Sequence, residues 1–247
     1  MRRLISLGLV VLALAVPSAT SAVSGITVFA AASLTQVFPR IDSGPKYSFA
    51  GSDQLALQIR QGAPVDVYAA ASPKYPQLLY HDGLVTRPIT FAKNKLIVLL
   101  PRANPAGITS IYDLRRAGTK VVIGDSGVPI GAYTRQLLDT LGITNDVMKN
   151  VVSQETDVKA IVAKVALGEA DAGFVYVTDA RPVASRTRKV LLPDWAQPSI
   201  RYQIAVVNSS SHKSGARAFI KRVTSQRGRK LLKAAGFGLP KLPKKKR

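Results

Sequence analysis

Three short stretches carry the residue types that could do chemistry. Ala31-Ala32-Ser33, Gly51-Ser52-Asp53 and the run GDSGVPIGAY at 124–133 are small, hydroxyl-bearing or glycine-rich. Each stands at a junction between a β-prone apolar run and a segment of helical spacing. A helix N-terminus at such a junction offers unpaired N–H groups and the positive end of the helix dipole. Several aimed at one point make an anion site without any charged side chain. Taken singly, Ser33, Ser52 and Asp53 read as ordinary helix N-caps, which these residue types favour everywhere.

Catalytic motifs fail on inspection. Gly124 to Gly131 has phosphate-loop spacing, but Ala132-Tyr133 stands where Lys and Ser/Thr belong. Gly124-Asp125-Ser126-Gly127-Val128 approaches a nucleophile elbow, with Val128 in place of the final glycine. The two histidines, His81 in a turn-like HDG and His212 in a polar loop, supply no obvious base for Ser33 or Ser126. Asp53 with Asp66, and Glu169 with Asp171, read as caps and solvated loop residues. The absence of cysteine excludes disulfides, thiolate zinc sites, cysteine nucleophiles and a lipid-modified cysteine anchor. No enzyme class is supported.

The elements that must position these stretches alternate along the chain. Strands are expected at 26–30, 47–50, 65–70, 96–100, 120–123, 151–152, 172–175 and 202–207. Helices are expected at 34–41, from 53, and at 73–80, 111–116, 132–141, 158–167, 216–223 and 229–234. Such alternation predicts an α/β fold with mostly parallel sheets. Ligands of open α/β sheets sit at the carboxyl ends of strands, where the three small-residue stretches fall.

The termini differ from the body. Met1-Arg2-Arg3, the apolar run 4–16, Pro17 and Thr20-Ser21-Ala22 make a signal peptide over residues 1–22. The apolar run is shorter than the roughly 20 residues of a membrane span. The chain carries 35 Lys+Arg against 14 Asp+Glu, a formal net charge of +21, which suits an anionic partner. No acidic residue follows Asp194, and 241–247 read KLPKKKR, a basic tail. That tail reads as a solvated terminus or as a weak contact with an anionic envelope surface. It lacks interleaved aromatic residues, and with export expected, nucleic acid is not the partner.

Longer motifs are similar to the periplasmic molybdate-binding proteins of ABC transporters. They are ITVFAAASL at 26–34, FAGSDQLALQIRQGAPVDVYAAAS at 49–72, GDSGVPIGAYTRQLL at 124–138 and ETDVKAIVAKVALGEADAGFVYVTDA at 155–180, followed by RYQIAVV and AAGFGLP. The resemblance implies a type II periplasmic binding fold of two α/β lobes joined by two crossover strands. Lobe one takes 26–97 and 205–240, and lobe two takes 98–204. It implies a monomer in the periplasm or cell envelope that needs no cofactor. Molybdate or tungstate, the metal being molybdenum as molybdate, is held in the cleft and delivered to a membrane permease. By motif position the ligand set is Ser33 and Ser52 through hydroxyl and backbone N–H, Ile130 and Val158 through backbone N–H, and Tyr176 through its phenol. Gly51 and Asp53 depart from the serines some relatives carry beside Ser52, and Ile130 is larger than the alanine of some relatives. Asp53 is expected to cap its helix away from the cleft. A receptor for another tetrahedral oxyanion such as sulfate is the alternative within the binding class. An exported α/β hydrolase is the enzyme-class alternative.

Overall fold

Two five-stranded sheets, each covered by helices, account for almost all of the apolar runs. The computed structural model describes residues 25–241. The signal peptide expected over 1–22 and all but Lys241 of the basic tail lie outside the described residues. The strands are β1 (Thr27–Ala31), β2 (Lys46–Ala50), β3 (Val67–Ala70), β4 (Ile89–Asn94), β5 (Leu96–Pro101), β6 (Val121–Gly124), β7 (Val151–Glu155), β8 (Ala172–Tyr176), β9 (Thr187–Leu191) and β10 (Ile200–Val206). The helices are α1 (Phe38–Ile41), α2 (Ser52–Arg60), α3 (Lys74–His81), α4 (Pro129–Thr140), α5 (Thr144–Met148), α6 (Val158–Leu167), α7 (Val177–Ala180), α8 (Lys213–Thr224) and α9 (Gln226–Ala234). Among the described residues, no helix is long and apolar enough to cross a membrane.

The first sheet has the order β2-β1-β3-β10-β4 and the second β7-β6-β8-β5-β9. Strands inside each sheet are apolar on both faces and buried at every position in β3, β5, β6 and β8. The edge strand β7 alternates instead, with every second residue exposed. The chain passes from the first sheet to the second through Lys95 alone, and returns between β9 and β10.

The expectation of mostly parallel sheets needs correction. β1 pairs in parallel with β2 and β3, and β6 with β7 and β8. β10 runs antiparallel to β3 and β4, and β5 runs antiparallel to β8 and β9. The reason lies in the connections. A parallel neighbour needs a helical crossover of a dozen or more residues. β5 and β10 enter their sheets straight from the other sheet, so they arrive in the opposite sense. The expected helix over 34–41 also shortens: a 3-10 turn forms at Ala32–Leu34, and α1 begins only at Phe38, with Pro39 in its first turn.

Each sheet repeats one local topology. β1 leads to β2 on one side and then to β3 on the other; β6 leads to β7 and then to β8 in the same way. Both sheets therefore reverse strand order beside their first strand, at β1 and at β6. Crevices outside the strand ends open at such points. The 3-10 turn and α2 begin at the first crevice, and α4 and α6 at the second. Gly131 lets α4 start there, because a Cβ at 131 would overlap the carbonyl oxygens of Asp125 and Gly124.

At the far end of the first sheet, Asp66 fastens three segments. Its carboxylate accepts from Thr27 N–H (2.7 Å) and Ser210 Oγ (2.6 Å) and lies 3.2 Å from His212 Nδ1. Burial pushes this carboxyl up, but the hydrogen bonds from Ser210, Thr27 and His212 outweigh burial and hold it below the usual range. A carboxyl lowered by folding adds stability above its unfolded value of about 3.9, and this stability is lost as the pH falls through the folded value. Asp66→Asn should therefore lower stability at pH 7 by about 1–3 kcal/mol. Urea denaturation at pH 7 and pH 3 should show the gap to the parent narrowing at the lower pH.

Candidate functional site

Ser33, Ser52, Ile130, Val158 and Tyr176, expected on separate motifs, line one pocket between the two sheets. Ala31, Ala32, Gly51, Pro129 and Asp157 complete most of its wall. The space is compact, a cavity of about 20 Å³, a size that suits a small ion. No lysine or arginine is among its lining residues.

The helix starts explain the backbone groups. α2 begins at Ser52 after Gly51, α4 at Pro129 just before Ile130, and α6 at Val158. First-turn N–H groups have no acceptor within their own helix. Proline at the start of α4 gives up a donor that the helix does not use. In α6 the Asp157 carboxylate accepts from Lys159 N–H and Ala160 N–H, one and two residues beyond Val158. Asp157 is thus an acid at the pocket wall whose oxygen is turned onto its own helix.

The direction of each side-chain hydrogen bond follows from groups that can only donate. Ala71 N–H donates to Ser52 Oγ at 3.1 Å, which leaves the Ser52 proton free for another acceptor. Lys95 N–H donates to Asn94 Oδ1 at 3.0 Å, so the Asn94 amide nitrogen faces Thr178 Oγ1 (3.0 Å) and Tyr202 OH (3.3 Å). Tyr202 OH accepts from Asn94 and shares a 2.8 Å hydrogen bond with Ser33 Oγ in which either hydroxyl can donate. With Tyr202 donating, Ser33 keeps its own proton to give. Tyr176 OH is buried with no hydrogen-bond partner. Burial pushes the Tyr176 and Tyr202 phenols well above their usual value, so both stay protonated. The Tyr176 and Tyr202 rings meet edge to face at 5.9 Å, which fixes their orientation.

Apart from the Asp157 carboxylate, which caps its own helix, the polar groups of the pocket wall are neutral and able to donate. Such a wall suits a group with acceptors only, and it repels a ligand that must donate. The sequence motifs missed Asn94 and Tyr202, which orient Ser33, because nothing local pairs residues so far apart. Asp53 is not among the residues lining the pocket and sits in the first turn of α2, but Gly51 and not Asp53 holds the N-cap position, contrary to the expected cap. The Asp53 Oδ1 is buried without a partner. Burial pushes its carboxyl up.

The hydrolase alternative finds no geometry. Ser126 Oγ faces Asp125 at 3.3 Å, and Ser33 faces Tyr202. Ser211, His212 and Asp66 do cluster, but at the far end of the first sheet. There the same His212 nitrogen faces both Ser211 Oγ (3.3 Å) and Asp66 (3.2 Å), whereas a triad needs the two ring nitrogens to face different partners.

Comparison with known proteins follows this geometry. The family described as "Bacterial extracellular solute-binding protein" matches residues 26–238. The molybdate-binding protein ModA of Mycobacterium tuberculosis is 38% identical over 231 residues, covering 90% of this chain and 87% of that one. The periplasmic molybdate-binding protein of Azotobacter vinelandii superposes with a TM-score of 0.77 at 24% identity, covering 87% of this chain and 100% of that one. The sulfate-binding protein SubI of Mycobacterium tuberculosis superposes at 0.73 with 20% identity, covering 86% of each chain.

The hydrogen-bond directions generate a contrast. Tyr202→Phe strands Asn94 and Ser33 and should cost the ligand-free protein about 1–3 kcal/mol. Tyr176→Phe removes a buried hydroxyl that has no partner, and should leave ligand-free stability unchanged or raised. Denaturation of the two variants in the absence of small anions checks this.

Proposed function

The chain belongs to the bacterial extracellular solute-binding protein family, and from that membership we propose that it captures molybdate between its lobes for an ABC transporter. It is a binding protein and not an enzyme, and like its family it works outside the cytoplasm. Its fold is the two-lobed type II periplasmic binding fold. Delivery is to a permease in the membrane.

One observation supports the ligand assignment most: Ser33, Ser52 and Tyr176, whose hydroxyls can donate, line one pocket with Ile130 and Val158 at helix starts. A fully ionised tetrahedral oxyanion has acceptors and no donors, so this wall matches it group for group. Ile130 and Val158 can be apolar because only their peptide nitrogens are used. Helix N-termini and hydroxyl dipoles supply the favourable potential. Phosphate near neutral pH carries a proton and wants an acceptor, and the carboxylate at the wall, Asp157, has its Oδ1 engaged by its own helix. Tungstate, equal in charge and nearly equal in size to molybdate, fits the same donors. Sulfate is the second reading, favoured by the shared fold of the sulfate-binding neighbour. Its smaller radius leaves a fixed ring of donors too wide.

Calorimetric titration with molybdate, tungstate, sulfate and phosphate separates these readings. Molybdate and tungstate should saturate one site with similar affinity, sulfate should bind more weakly, and phosphate should give no heat of binding. Sulfate binding more tightly than molybdate would transfer the assignment to sulfate. Ser33→Ala and Ser52→Ala should each weaken molybdate about ten- to a hundredfold, the value of roughly 1.5–3 kcal/mol for a hydrogen bond to a charged group.

A further inference from the structure

Beside the ligand donors the two lobes approach each other closely at Gly51. Residue 51 precedes α2 in the first lobe. A Cβ built there would stand 2.5 Å from the Thr156 carbonyl oxygen, which follows β7 in the second lobe. It would also stand 2.6 Å from Asp53 Oδ1. The Asp53 carboxylate is the end of a flexible side chain and could swing aside. The Thr156 oxygen is backbone, and it can yield only if the lobes part. Close-packed backbone absorbs no such overlap in place.

The same rim carries a second contact between lobes. Tyr75 OH, on α3 of the first lobe, donates to the Gly127 carbonyl of the second at 2.5 Å. Gly51 and Ser52 both line the pocket, so the Thr156 carbonyl approaches the first lobe at the pocket's edge. The backbone at Gly51, with φ −57° and ψ 138°, is open to any residue. Glycine is therefore not required there by local conformation. In this arrangement of the lobes, what lies opposite leaves no space for a Cβ.

We propose that Gly51 is the positioning residue that sets how far the lobes close, because the missing side chain lets the Thr156 carbonyl seat on the start of α2. The proposal rests on the functional reading in one respect: closure is what brings both lobes' donors onto one anion. In the open state the overlap does not exist, so a methyl group at 51 acts only on the closed state. It shifts the equilibrium toward open and reduces apparent affinity in proportion to the closed population lost.

The test uses Gly51→Ala in the full protein, with lobe separation read directly. The chain has no cysteine, so spin labels can be placed on Leu57→Cys in α2 and Val152→Cys in β7, both exposed, without other sites reacting. In the parent, molybdate should shift the label distances to a short, narrow distribution. In Gly51→Ala at saturating molybdate the distribution should stay longer, and molybdate affinity should fall at least tenfold. Ligand-free thermal stability should be unchanged or slightly raised, since alanine restricts the unfolded chain more than glycine does. Equal affinity and equal distances in parent and variant would overturn the proposal. So would an equal loss of stability without ligand, which would make Gly51 a merely structural residue. A parent that takes up no molybdate would overturn the functional reading instead. The proposal is then decided on the ligand-free labels, where Gly51→Ala must abolish the short-distance population seen in the parent.

Discussion

A proton on an oxygen can point in only one direction, and the pocket depends on that constraint. Serine and tyrosine hydroxyls can donate or accept, so a ring of them is not by itself an anion site. Two backbone N–H groups remove the ambiguity. Ala71 N–H makes Ser52 Oγ an acceptor on its inner side. Lys95 N–H fixes the Asn94 amide, which makes Tyr202 OH an acceptor and leaves its proton available to Ser33. Backbone N–H groups cannot accept, so the Ser52 and Asn94 ends of these chains cannot reverse. The cost of holding unpaired protons inward falls on the ligand-free protein, most visibly at Tyr176, whose hydroxyl is buried without a partner.

Those directional chains also tie the site to the crossing between lobes. Lys95 is the one residue between β4 and β5, the strands of the first and second sheets. Asn94 bonds Thr178, in α7 after the second sheet's β8, and Tyr202, in β10 of the first sheet, and Tyr202 packs edge-on against Phe237 at 5.3 Å and Phe91 at 6.1 Å. The orientation of Ser33 is thus set by groups at the crossover and does not rest on the loop that carries it.

The fully apolar strands β3, β5, β6 and β8 were legible in the sequence, because burial on both faces leaves an unbroken apolar run. β4 and β9 were not, since ITFAKN and TRKVL mix polar and apolar residues as sheet edges do. The antiparallel entry of β5 and β10 was also hidden, because a residue pattern records burial and not strand direction. Pro39 did mark the break in the helix expected over 34–41. In the site, the helix starts at Ser52 and Val158 were readable from composition, but only the order of several motifs set them apart from ordinary caps. Asn94 and Tyr202 lie 108 positions apart, and Ser33 and Tyr202 lie 169 apart. No local spacing rule reaches across such distances. Gly51 was visible as a departure, yet its meaning needed Thr156 opposite.

The central claim is that neutral donors alone hold the anion. Crystals of the protein grown with molybdate, and measured at the molybdenum absorption edge, would test it directly through the anomalous signal of the metal. The account predicts one peak between the lobes. The oxygens around it should lie within about 2.6–3.2 Å of Ser33, Ser52 and Tyr176 hydroxyls and of the Ile130 and Val158 nitrogens. A peak elsewhere, or a lysine or arginine nitrogen among the nearest donors, would contradict it.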